Sequence, residues 1–182
     1  MHPTYRFLSF LIIILMVNVG FGQELYQTTS AELEFYSEAP IEDIKAASNK
    51  GISVINLETG AIAFQVKINT FQFEKALMQE HFNENYMESE KFPKASFKGK
   101  MQNVDISSNR EQVIIIKGTL TLHGVTKEVE IPANFQLNNN QIKLNTTFVV
   151  ACKDHNIKIP KLLWQNIAET IQVQLNANYQ KT

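Results

Sequence analysis

Cys152, Asp154 and His155 lie close enough together to raise the question of a thiol nucleophile with a neighbouring base. A working triad also needs its base oriented across a fold and an oxyanion hole, and neighbours along one strand point to opposite faces. Cys152 shares its parity with Phe148 and Val150, which suits a buried, inert thiol. His81 and Glu84 stand three residues apart on a segment of helical composition, a spacing that lets two ligands face one metal, but no third ligand is placed beside them. His123, next to Gly124, reads as a turn residue that bonds local backbone or offers a polar group at the mouth of a barrel. There is no nucleophile elbow, phosphate-cradling loop or dinucleotide fingerprint. As the only cysteine, Cys152 excludes an intramolecular disulfide framework and any multi-cysteine cluster. These residues point to a protein that is not an enzyme, with no catalytic residue, metal or cofactor.

Charge narrows the partners further. The chain has 17 Lys+Arg against 18 Asp+Glu, so it lacks the basic excess that a nucleic acid demands. Lys94, Lys98 and Lys100 alternate along one run and form a basic outer stripe. Such a stripe serves either as a solvated face that protects a strand from aggregation or as a transient contact with anionic lipid head groups.

The elements that would position these residues follow from the pattern of apolar side chains. Residues 1–22 have the three parts of a secretory signal: Arg6, an apolar run from Phe7 to Val17, and small residues Gly20 and Gly22 before a cleavage expected ahead of Gln23. Residues 23–182 are then expected to form one exported domain, periplasmic or secreted. Within it, alternation with a period of two recurs almost to the end. Leu33 and Phe35 share one face, as do Ile62, Phe64, Val66 and Ile68, and Ala95, Phe97 and Met101. The same holds for Val125, Val129, Ile131, Ala133 and Phe135, for Ile142, Leu144, Phe148 and Val150, and for Ile171, Val173, Leu175 and Tyr179.

Turn residues separate the runs at Glu58-Thr59-Gly60, Ser107-Ser108-Asn109, His123-Gly124 and Asn138-Asn139-Asn140. Phe73 to Asn85 lacks Gly, Pro and β-branched residues and is expected to be a helix capping one end. Ile159 to Ala168 and Ile41 to Ser48 are further helix candidates, each associated with a proline. The fold class is all-β: about eight antiparallel strands in an up-and-down barrel, with one or two short helices. The inward-parity aromatics Phe35, Phe64, Phe97, Phe135 and Phe148 either line an elongated cavity or fill the barrel as a core.

Phe92-Pro93-Lys94-Ala95-Ser96-Phe97, followed by Gly118-Thr119-Leu120-Thr121-Leu122-His123-Gly124-Val125-Thr126-Lys127, resembles the YceI-like family in both motifs and in their order. The resemblance runs roughly from Ala31 to Tyr179. It implies an extended lipocalin-like antiparallel barrel, exported, enclosing a polyisoprenoid or other long apolar lipid. The chain departs from the family pattern at Ala31 to Phe35, which lacks the usual histidine, at Met78 to Phe82 ahead of the Phe-Pro motif, and at the polar run Ser48-Asn49-Lys50-Gly51 in place of a Gly-x-Phe turn. With the resemblance, the cavity reading leads: a non-catalytic lipid-binding or lipid-carrying barrel whose ligand contacts are Phe35, Phe64, Val66, Met78, Phe82, Phe97, Phe135 and Phe148. The competing expectation is a structural or interaction module with a filled core and no ligand.

Overall fold

In the computed structural model, which describes residues 24–38, 43–159 and 168–182, the alternating runs become the wall of a closed antiparallel barrel. The strands are β1 (Leu25–Ser37), β2 (Ile44–Asn56), β3 (Ala61–Lys67), β4 (Gln72–Phe73), β5 (Lys94–Gln102), β6 (Gln112–Leu122), β7 (Val125–Asn138), β8 (Gln141–Ala151) and β9 (Thr170–Lys181). Their order is β1-β9-β8-β7-β6-β5-β3-β2, and β1 also pairs with β2, so the sheet closes; β4 is a two-residue addition beside β2. Closure leaves eight long strands with no free edge in the wall.

Parity holds along each expected strand. Ile131, Ala133 and Phe135 of β7, Ile142, Leu144 and Val150 of β8, and Ala177 and Tyr179 of β9 are all buried. The tight turns have the predicted chemistry: His123 and Gly124 take φ of 50° and 72°, and Asn139 and Asn140 take 47° and 63°. Two adjacent positive φ values match the right-handed twist of a two-residue hairpin.

Three expectations need correction. Ile44 to Ser48 is not helical but opens β2, with residues 41 and 42 outside the described residues. Ser48 to Gly51 is not a turn either; it lies inside β2 opposite register shifts in β1, where Ala31 faces Gly51 and Leu33 faces Ser48. The reason is tertiary: this stretch of β2 pairs with β1 on one side and, at Ala46 and Ala47, with β4 on the other, and those ladder hydrogen bonds outweigh the weak strand preference of Ala, Ser, Asn and Lys. The third concerns the capping helix. It begins later than expected, with Phe73 in β4, then runs as α1 (Ala76–His81) and a π-helical turn from Phe82 to Tyr86. Ile68 likewise leaves β3 for a 3-10 turn, although it stays buried. The helix candidate over residues 159–168 and the signal segment 1–22 lie essentially outside the described residues.

Inside the barrel the two ends differ. At the end holding the β2–β3 and β7–β8 turns, Tyr26, Ile55, Leu57, Met101, Ile114, Phe135 and Ile142 form a close-packed core. At the other end, which bears α1, the walls stand apart.

Candidate functional site

The space between the walls is a cavity of about 450 Å³. It is bounded by inward side chains of the long strands and roofed by Leu77, Met78, His81 and Phe82. Of the ligand contacts expected from sequence, Phe35, Phe64, Val66, Met78, Phe82, Phe97 and Phe148 line it. Phe135 does not. It has the right parity but lies farther down β7 than Ile131, where it is wholly buried in the packed core. The aromatics therefore divide, some filling one half of the barrel and the rest facing the hollow half.

Phe64 and Phe97, cross-strand partners on β3 and β5, both pack on the core and face the cavity, whose lining continues past them to Ile62, Ile116 and Tyr179. Glycines make room for them. A Cβ on Gly51 would come within 2.8 Å of the Phe64 ring, and one on Gly99 within 2.6 Å of the Phe97 ring. Gly118, paired with Gly99, is tighter still, with its Cβ position 2.3 Å from the Lys98 carbonyl oxygen.

Sequence reasoning missed much of the roof. Phe71 and Phe73 join Phe35 and Phe82 in an aromatic cluster with centroid separations from 5.0 to 5.9 Å. Phe35 comes from β1 and the other three from the segment between β3 and β5, so no short-range spacing announces the group. Leu120, Leu122, Val173 and Leu175 also face the cavity; strand parity was the available signal for them. Residues 76–86 include none that is buried, and the buried Oδ1 of Asn83 has no hydrogen-bond partner, an arrangement costing on the order of 1–3 kcal/mol. The lid is lightly held along its length.

Its C-terminal end is better anchored. Glu88, at φ 43°, accepts a hydrogen bond from His123 Nε2 at 2.9 Å, and His123 Nδ1 donates to the His155 carbonyl at 3.1 Å. The Phe92 ring stands edge-on to His123, 4.4 Å between centroids, and lies against Gly124, where a Cβ would fall 2.6 Å from it. The Phe-Pro stretch and the Gly-Val-Thr-Lys hairpin, distant in sequence, thus meet at one contact. His123 is neither a free mouth group nor bonded only to its own turn.

Polar groups in the wall have partners within the protein. Ser37 Oγ accepts from the Ala168 amide at 2.9 Å, Thr146 Oγ1 donates to the Pro132 carbonyl at 2.6 Å, and the Tyr179 hydroxyl donates to Ser53 Oγ at 2.9 Å. Burial pushes the Tyr179 phenol up to about 12 and the Cys152 thiol up to about 11. His155 is buried and its Nδ1 donates to the Val125 carbonyl at 3.1 Å, while Asp154 is exposed, so the three chemically suggestive residues do not form a relay. Among the described residues no three His, Cys, Asp or Glu side chains gather to hold a metal. His81 and Tyr86, at the rim, make no hydrogen bond to the protein among the described residues; partial burial raises the Tyr86 phenol. The site is thus a largely apolar chamber in which the polar atoms of Ser37, Thr146 and Tyr179 are bonded within the protein.

Solved structures share this architecture. A polyisoprenoid-binding domain from Saccharophagus degradans, described as implicated in plant cell wall breakdown, superposes with a TM-score of 0.75 at 15% identity, covering 88% of this chain and all of that one. BcnA of Burkholderia cenocepacia gives 0.68 at 13% identity over 81% of this chain and 95% of its own. The YceI protein of Campylobacter jejuni gives 0.64 at 15% identity over 80% and 89%. No curated protein matches by sequence. The profile of the YceI-like domain matches residues 26–179, from the start of β1 to near the end of β9 and across both motifs that meet at Gly124, and on that match the chain belongs to the YceI-like family.

Proposed function

We propose that this protein is an exported, non-catalytic carrier that holds a long apolar lipid, isoprenoid or fatty, inside its barrel. The observation that supports this most directly is the chamber itself: about 450 Å³, walled by apolar side chains, with its buried polar groups bonded to the protein. Hydrocarbon moved from water into such a space gains roughly 0.8 kcal/mol per methylene, with no titratable group required. The volume lies in the range of small-ligand pockets, about 300–1,000 Å³. Binding of a polyisoprenoid by the Saccharophagus domain lends support at the level of a shared fold.

Loading runs through the lid in this reading. Leu77 is 61% exposed beside the mouth and is the side chain that would touch a bilayer during transfer. Export follows from the charged, apolar and small-residue parts of residues 1–22, with the mature chain starting at Gln23. The test is native mass spectrometry on protein expressed with its leader and purified without detergent, together with N-terminal sequencing. The expected result is a start at Gln23 and a mass above that of the polypeptide, reduced by organic extraction. A bare polypeptide mass and no uptake from lipid extracts would overturn the carrier reading, and an intact leader would overturn export.

A further inference from the structure

We infer that His123 is a proton-dependent latch on the mouth of the chamber: protonated, its ring bonds the lid and the opposite rim at once, and neutral, it must release one of them. This rests on the lipid-carrying reading and adds to it the regulation of loading at the same site.

The geometry requires the proton. His123 Nε2 stands 2.9 Å from a carboxylate oxygen of Glu88, and Nδ1 stands 3.1 Å from the backbone carbonyl oxygen of His155. Carboxylate and carbonyl oxygens only accept, and a neutral imidazole has a single N–H, so the two bonds exist together only in the imidazolium. The ring is buried, so water does not replace a lost partner. No other charged group around it takes over the role. On the lid side, the Lys91 ammonium lies 3.8 Å from the other Glu88 oxygen, and Phe92 presents an uncharged ring. On the 3-10 turn Cys152–His155, the buried His155 ring donates from Nδ1 to the Val125 carbonyl, while Lys153 and Asp154 are exposed. On the hairpin that carries His123, Lys127 is exposed as well.

What the latch joins decides what it controls. Glu88 directly follows Met87, His123 directly follows Leu122, and the 3-10 turn that ends at His155 begins with Cys152; Met87, Leu122 and Cys152 all line the cavity. One ring therefore ties three rim segments from remote parts of the chain. Glu88 is held at φ 43°, a left-handed conformation unfavourable for a residue with a Cβ, so it relaxes once the bond that fixes it is lost. Residues 76–86 contribute no buried side chain, so anchorage at this end of the lid falls on Met87, the Phe92 contact and the latch. The latched mouth holds a proton that the released mouth gives up. Falling pH therefore closes it, and rising pH loosens it across the range in which imidazoles titrate, about pH 5 to 8.

The experiment follows transfer of pyrene, which is apolar and has no titratable group, from the mature protein to phosphatidylcholine vesicles by stopped flow between about pH 5 and about pH 8.5. The parent should release pyrene about tenfold faster at the alkaline end, the factor expected for loss of one charge-assisted hydrogen bond. Glu88→Gln should be slow at every pH, because its amide can donate to a neutral Nε2 and keep both bonds. His123→Asn, a residue that tolerates the φ of 50° at that turn position, should be fast at every pH. Nitrogen NMR reads the proton with no ligand present: there should be a pH at which the His123 ring carries two N–H groups in the parent and one in Glu88→Gln. A flat release profile for the parent, a pH dependence that persists in a folded His123→Asn protein, or identical ring protonation in the parent and Glu88→Gln throughout the series would overturn the latch with the carrier reading intact. No pyrene bound at any pH would remove the carrier reading, while the ring nitrogens would still decide the proton at His123.

Discussion

Replacing Phe82 by alanine asks whether the lid opens as a unit separate from the barrel. Phe82 stacks on Phe35 at 5.4 Å and touches Phe71 and Phe73 at 5.9 and 5.0 Å. A fully buried Phe→Ala change costs about 3–5 kcal/mol; Phe82 is only half-buried, so about 2 kcal/mol is the appropriate scale. Most of that loss should fall on the closed lid alone, because residues 76–86 contribute no buried side chain to the barrel core. If opening limits exchange, about 2 kcal/mol speeds release of a bound fluorescent fatty probe roughly 30-fold. The same variant should unfold within a few degrees of the parent, since the packed half from Tyr26 to Tyr179 is untouched. Stopped-flow displacement and a thermal melt on one preparation read both quantities. A melt lowered by the whole cost, with unchanged exchange, would mean that Phe82 belongs to the global core and that the lid is a plug.

Four further outcomes follow from the same geometry. Phe148→Lys, inside the cavity, should abolish lipid uptake or folding by burying an unpaired charge, whereas Lys67→Glu, on the outer face directly opposite Lys94, should leave stoichiometry unchanged and raise stability by about 0.2–1 kcal/mol; equal loss in both would refute the strand parity. Gly118→Ala should destabilise by roughly 1–3 kcal/mol or more in urea, because the added Cβ meets the backbone at Lys98 and Gly99, and a neutral result would show that β5 and β6 can part. Native Cys152, its thiol raised by burial to about 11, should react slowly with a maleimide at neutral pH and fully once denatured; stoichiometric labelling of the native protein would contradict its burial. Cys152 and Tyr179 release protons at higher pH when folded than at their ordinary values of 9 and 10, so the unfolded chain loses them first. Their stabilising contribution is complete below about pH 9 and lost as pH rises through about 11 and 12, and Tyr179→Phe should flatten the upper part of that decline in urea midpoints.

The alternation of apolar and polar residues was enough to specify six of the eight long wall strands and, with the turn residues at Gly60, His123-Gly124 and Asn139-Asn140, their antiparallel sense, because side-chain direction in a strand depends only on parity and φ>0 turns depend on local residue type. It also put Phe35, Phe64, Phe97 and Phe148 on the inner face correctly. What parity cannot supply is height along the barrel. Phe135 and Phe148 are equivalent in pattern, yet one is sealed in the core and the other faces the chamber, because register with neighbouring strands sets the level at which each ring lies. β2 also escaped notice: Ala46 to Lys50 has little strand preference of its own and is extended because β1 pairs on one side and β4 meets Ala46 and Ala47 on the other. The aromatic roof and the contact of Phe92 with Gly124 join residues remote in sequence. Only barrel closure brings them together, and with them it decides that one half of the molecule is filled while the other stands open.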